Sequence, residues 1–91
     1  MHKVVWANAA LVNLQAVQDY IAQFNPYAAA KVAAEIVETA EELVMFPQRG
    51  RAVRGTRLRE VMTSYPYIIR YRVTGDMIII LRIRHMARKP A

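Results

Sequence analysis

Residues 67–84 read Tyr67-Ile68-Ile69-Arg70-Tyr71-Arg72-Val73-Thr74-Gly75-Asp76-Met77-Ile78-Ile79-Ile80-Leu81-Arg82-Ile83-Arg84. Two runs rich in β-branched and aromatic residues flank Thr-Gly-Asp, which is the pattern of an antiparallel hairpin. Tyr67, Ile69, Tyr71 and Val73 hold the odd positions of the first run; Met77, Ile79, Leu81 and Ile83 hold those of the second. If both odd sets face one core, opposed residue numbers must sum to an even value, because side chains alternate with period two. A three-residue loop Val73-Thr74-Gly75 meets that condition, sets Arg72 opposite Asp76, and uses Gly75 as a left-handed residue. The other face then carries Ile68, Ile78 and Ile80 as an exposed apolar strip. Arg70 and Arg72 flank it at the turn end and Arg82 and Arg84 at the other, with Arg70 and Arg82 about 13 Å apart at about 3.3 Å per residue. An apolar strip fringed by guanidinium groups is expected to dock a protein.

Upstream, Lys3-Val4-Val5-Trp6 reads as a short strand. Asn8 is placed to cap a helix in which Leu11, Leu14, Val17, Ile21 and Phe24 recur at helical spacing. Asn25-Pro26 ends that helix and opens a second running to about Met45, with Asn as cap and Pro in the first turn. Val32, Ala33, Ile36, Ala40, Leu43 and Val44 form its apolar stripe, while Glu35, Glu38, Glu41 and Glu42 fall on a solvated face. So tight a junction predicts an antiparallel helical hairpin. Residues 48–55 form a basic loop carrying Arg49, Arg51 and Arg54 between glycines, and match no phosphate-binding fingerprint. Strands are expected at about 57–63, 67–73 and 77–84; in the first, either Leu58 and Met62 face inward together with Glu60, or Val61 does with Arg57, Arg59 and Thr63. The expected class is α+β: an N-terminal strand, a helical hairpin and a three-stranded antiparallel meander, forming one domain over residues 1–91.

Composition narrows the function. At 55% apolar and 22% charged, the chain has the make-up of an ordinary globule and not of a disordered segment. It has no cysteine, which excludes disulfides, thiolate metal sites and a cysteine nucleophile. His2 and His85 alone make no metal site, so neither a metal nor a cofactor is expected. No apolar run reaches the length of a bilayer span, and no leader is legible, so a cytoplasmic protein without a membrane partner is expected. Residues 1–48 hold two lysines against five acids, a net −3; residues 49–91 hold ten arginines and Lys89 against Glu60 and Asp76, a net +9. Such asymmetry points to an acidic or polyanionic partner, and arginine grips carboxylate or phosphate in a two-point fashion that lysine cannot match.

Several segments together carry a family resemblance. They are Pro47-Gln48-Arg49-Gly50-Arg51, Gly55-Thr56-Arg57-Leu58-Arg59-Glu60, Pro66-Tyr67-Ile68-Ile69-Arg70-Tyr71-Arg72-Val73 and Leu81-Arg82-Ile83-Arg84-His85-Met86-Ala87-Arg88. In that order, with Trp6 ahead of the first helix and Asn25-Pro26 between the helices, they resemble the RelE/ParE toxin superfamily over nearly the whole chain. The resemblance implies the toxin half of a type II toxin–antitoxin pair, neutralised by a small acidic antitoxin and reaching operon DNA only through that antitoxin. It also implies one of two targets. ParE-like members inhibit DNA gyrase; RelE-like members cut mRNA on the ribosome.

Metal-free RNA cleavage needs a proton carrier and cations at the phosphate. On the nuclease reading these are His85 with Arg82, Arg84 and Arg88. The nucleases commonly carry arginine where this chain has Ile68 and tyrosine where it has Met86, and the lysine set of the RelE branch is missing. The gyrase reading is therefore favoured, with Ile68, Arg70, Arg72, Ile78, Ile80, Arg82 and Arg84 as binding residues. A plain nucleic-acid-binding module is the reading from a third class.

Overall fold

The computed structural model describes residues 2–64 and 66–87. The elements follow as β1 (Lys3–Trp6), α1 (Asn8–Ala22), α2 (Pro26–Glu42), β2 (Arg51–Ala52), β3 (Arg59–Met62), β4 (Tyr67–Thr74) and β5 (Met77–His85). The strands make one sheet in the order β1-β5-β4-β3-β2, antiparallel except that β1 runs parallel to β5. The α+β class stands, with one strand more than the sequence implied: β2 forms a small hairpin with β3. Its tip uses its own polar groups, the Thr56 amide and hydroxyl both donating to the Val53 carbonyl, and Gly55 takes φ +77°. The turn thus satisfies those groups within itself.

Helix starts and stops obey local chemistry at one junction and not at the other. Asn25 caps α2, its Oδ1 accepting from the amides of Tyr27 and Ala28 at 3.1 Å each, with Pro26 in the first turn. Asn8 does not cap α1; Ala7 holds that position without a side-chain bond, because its amide is committed to the Ile80 carbonyl at 2.8 Å. The strand-to-helix passage is one residue tighter than expected.

Both helices lie on one face of the sheet, α1 over β5 and α2 over β4. The core between them holds Ala10, Ile36, Ala40, Leu43, Val61, Tyr67, Ile69, Tyr71, Ile78, Ile80 and Ile83, with Val4 and Trp6 packed alongside. Small residues at Ala10, Ala29, Ala33 and Ala40 let backbones approach. The inward stripe of α1 is therefore Ala10, Leu14, Val17 and Ile21; Leu11 and Phe24, expected within it, are exposed. On α2 the expected stripe holds, but Glu35 leaves the solvated set: its carboxylate accepts the amide and hydroxyl of Ser64, fastening the β3–β4 turn to the helix. In β3, Val61 faces inward and shares that face with Arg59, whose Nη1 donates to the Gly50 carbonyl at 2.8 Å.

The β4–β5 hairpin corrects the expected register. Thr74 pairs with Met77 across a two-residue turn, Gly75 at φ +58°, and Val73, Arg72 and Tyr71 pair with Ile78, Ile79 and Ile80. Past a bulge at Leu81, Arg70 pairs with Arg82, Ile69 with Ile83, Ile68 with Arg84 and Tyr67 with His85. Opposed numbers sum to an odd value near the turn and an even value beyond the bulge. One unopposed residue thus resolves the parity conflict that a three-residue loop had seemed to require. Ile78 and Ile80 consequently point into the core and are fully buried, while Met77 and Ile79 move to the outer face.

Candidate functional site

The face of the sheet away from the helices carries the arginines. Alternation along the observed register puts Arg51, Glu60, Arg70 and Arg82 in one row across β2, β3, β4 and β5. Arg70 and Arg82 are thus cross-strand partners, not about 13 Å apart as the expected register had them. Arg84, Ile68 and Met62 make the next row towards one end; Arg72, Ile79 and Val5 make the row towards the turn. The apolar part of this face is therefore Val5, Met77 and Ile79 on one side of the arginine band and Ile68 and Met62 on the other. Ile68 is on the face where it was expected, though only 8% exposed. Ile78 and Ile80 are not part of it.

Glu60 organises the band. It is the only acid between residues 43 and 75. Its side chain is 7% exposed, and one oxygen, Oε2, accepts from Arg70 Nε at 2.9 Å and Nη2 at 2.7 Å. Arg84 Nη2 stands 3.7 Å from the same oxygen and Arg51 Nη2 3.8 Å from the other. A carboxylate buried so completely is tolerable only with such partners. Arg70 and Arg82, opposed directly, repel one another, and Glu60 offsets this from the far side of Arg70. Arg72 and Arg82 are exposed and make no ion pair among the described residues. As a lone acid in an arginine-rich run Glu60 stands out in the sequence, but its face could not be read there.

Among the described residues of the candidate catalytic set, His85 does not share a face with Arg82 and Arg84. His85 pairs with Tyr67 on the inner face, their rings edge to face at 5.4 Å, and its Nδ1 accepts from the Ala87 amide at 3.1 Å. Arg84, its neighbour in the strand, projects to the opposite face, as does Arg82. Arg88 lies outside the described residues. Of the loop arginines, Arg49 pairs with Glu42 at 3.5 Å in solvent, Arg51 reaches Glu60, and Arg54 is exposed in the β2–β3 turn. Among the described residues no group of three or more histidines and acids could hold a metal ion, and no helix is long and apolar enough to cross a membrane.

The loop before β2 has a different task. The Tyr71 hydroxyl accepts from the Gly50 amide and donates to the Pro47 carbonyl, each at 2.8 Å. A Cβ on Gly50 would lie 2.6 Å from that hydroxyl and 2.9 Å from the Glu60 carbonyl oxygen, so only glycine fits. Pro47, Gly50, Arg59 and Tyr71, all within the segments that carry the resemblance, are thus joined in one structural lock. Beside it, Met45, Phe46, Pro47 and Val73, with His2 and Arg49, line an open groove of about 560 Å³.

The order of one strand, a helical hairpin and antiparallel strands in one sheet is that of the toxins of type II toxin–antitoxin systems. The sequence model described as "ParE toxin of type II toxin-antitoxin system, parDE" matches residues 4–90, and the chain belongs to that family. It is 46% identical over 88 residues to "Toxin RelE2" of Caulobacter vibrioides, covering 97% of this chain and 99% of that protein. Among solved structures, the chromosomal ParDE system of P. aeruginosa superposes with a TM-score of 0.82 at 30% identity, over 93% of this chain and 96% of that one. The toxin–antitoxin complex RelBE2 of Mycobacterium tuberculosis shares the fold, with a TM-score of 0.70 at 22% identity over 92% and 96% of the two chains. The protein is a type II toxin, and the relatives bear names from both branches of the superfamily.

Proposed function

We propose that this toxin arrests growth by binding DNA gyrase, and that a cognate acidic antitoxin silences it in the cytoplasm. The observation that carries the choice of target is the placement of His85. A nuclease that works without metal must bring its proton carrier and its phosphate-binding cations to one point. Here the imidazole stands on the inner face with Nδ1 engaged, while Arg82 and Arg84 stand on the other. Protein contact asks for no such convergence. The match to the ParE family over residues 4–90 supports the same target. The competing reading, a ribosome-dependent mRNA endonuclease, draws on the RelE name of the 46% identical Caulobacter relative.

The test is a parallel assay of the purified toxin, freed from antitoxin, on gyrase supercoiling and on ribosome-bound mRNA. Inhibited supercoiling with intact mRNA is the expected result; cleaved mRNA with unaffected supercoiling overturns the proposal. His85→Ala is expected to keep growth inhibition within about twofold of wild type, since a residue outside the machinery contributes little to it. Loss of toxicity at unchanged fold and antitoxin binding would favour the nuclease.

A further inference from the structure

We propose that the β2–β3 hairpin is a phosphate-binding ribbon, and that it lays Arg51, Arg54 and Arg57 on the backbone of the duplex DNA that gyrase holds. This inference rests on the gyrase reading. Residues 48–59 contain five arginines and no acid. Two of the five are committed within the chain: Arg59 Nη1 donates to the Gly50 carbonyl at 2.8 Å, and Arg49 pairs with Glu42 at 3.5 Å. Arg54 and Arg57 are exposed, and neither makes a side-chain hydrogen bond or ion pair among the described residues. The Arg51 side chain is 82% exposed and stands 3.8 Å from the one acid near it, Glu60. That acid is buried and taken up by Arg70, so it opposes an approaching phosphate only weakly.

The hairpin is built to present these groups. β2 is the last strand of the sheet, with β3 alone beside it. The Val53 amide donates to the Leu58 carbonyl at 2.9 Å and the Thr56 amide to the Val53 carbonyl at 3.1 Å, which sets Arg54 at the corner of the turn and Arg57 just past it. Arg51 precedes Arg54 by three residues, about 10 Å at about 3.3 Å per residue. Three cations over that span meet several phosphates, since duplex DNA carries one charge about every 1.7 Å of its axis. The hairpin lacks what a protein contact needs. No large apolar side chain between residues 47 and 61 is exposed among the described residues; exposed ones stand elsewhere, at Tyr20, Phe24 and Tyr27 of the helical hairpin and at Met45 and Phe46 beside the groove. Protein interfaces form around apolar centres, whereas arginine alone grips phosphate. B-form DNA admits a two-stranded ribbon in its major groove, while duplex RNA closes that groove to side chains. Contacts to phosphate read no sequence, so the ribbon holds whatever duplex gyrase presents and singles out no operon.

The experiment titrates the full-length toxin into a fluorescent DNA duplex of mixed sequence at several salt concentrations and follows anisotropy. Three phosphate contacts predict that the logarithm of the affinity falls against the logarithm of salt with a slope of about −2.7. Arg54→Gln and Arg57→Gln are each expected to bring the slope to about −1.8 and to weaken binding about eightfold at about 0.1 M salt, because each removes one contact. Both side chains hold nothing in the free chain, so the fold is not at stake. Lys31→Gln, an exposed cation on α2, is expected to change neither quantity.

An unchanged slope in both tip variants, a larger loss in Arg72→Gln on the outer sheet face, or tighter binding of duplex RNA than of duplex DNA would each overturn the proposal. Binding to gyrase with and without DNA separates the two levels. Wild-type toxin is expected to bind the gyrase–DNA complex more tightly than gyrase alone, and the Arg54→Gln, Arg57→Gln double variant to bind both alike. If DNA adds nothing for the wild type and the double variant binds as the wild type does, the ribbon proposal falls and the gyrase reading survives. If the toxin ignores gyrase yet shows the expected salt slope on DNA, the ribbon stands and the gyrase reading falls.

Discussion

The two halves of β5 behave as different strands. Met77–Ile80 lies between β1 and β4, with its even-numbered residues in the core. Among the described residues Arg82–His85 has only β4 beside it, and there it is Ile83, an odd position, that is buried. On the open side of this second half, the Ile83 amide donates to Asn13 Oδ1 of α1 at 3.1 Å, so a helix side chain completes what a strand does for the first half. Leu81 divides the two. A single unopposed residue exchanges the faces of everything beyond it, which is why β5 turns Met77 and Ile79 to the outer face before the bulge and Arg82 and Arg84 beyond it.

The largest expected effect breaks the first half. Ile80→Asp places a carboxylate at a fully buried position, costing on the order of 4 kcal/mol or more, a large share of the roughly 5–15 kcal/mol that holds such domains together. Thermal melts followed by circular dichroism are expected to show little or no folded protein. Ile79→Asp, one residue earlier on the outer face, is expected to stay folded within about 1 kcal/mol of wild type. A folded Ile80→Asp with an unfolded Ile79→Asp would mean that the bulge is misplaced.

Tyr71 stands opposite the seam itself, paired with Ile80. Tyr71→Phe keeps the ring and leaves the Gly50 amide and Pro47 carbonyl without their partner, an expected loss of about 1–3 kcal/mol in denaturant midpoint measurements. Hydrogen exchange is expected to rise first at residues 47–51. Smaller again, Asn13→Ala frees the Ile83 amide and should cost about 1 kcal/mol, with faster exchange at Ile83 and unchanged protection at Ile78. Equal loss of protection in both halves would show that β5 opens as one unit.

Much of this fold was legible from local rules. Asn25-Pro26 named the second helix start because capping and a fixed proline φ act within four residues. The α2 stripe was legible because helical period exposes burial directly. Asn8 misled because its neighbour Ala7 is tied to Ile80, a strand residue more than seventy positions away. Leu11 and Phe24 misled because α1 lies on the sheet through a face centred on Ala10, whose smallness is a contact signal and not a hydrophobic one. The outer sheet face was legible in Arg70, Arg72, Arg82, Arg84 and Ile68, and illegible in Ile78, Ile79 and Ile80, since these four arginines take the solvent side whereas three consecutive isoleucines are interchangeable to any pattern rule.

By itself the sequence determined the class of fold, the helical hairpin and the charge asymmetry, because composition, capping and periodicity are local or additive, and its ordered motifs carried the family resemblance. Which isoleucines are buried, where Glu60 points, and whether His85 meets the arginines were decided only by tertiary structure. Each depends on one unopposed residue and on hydrogen bonds between distant segments, and strand parity amplifies a slip of one position into an exchange of faces.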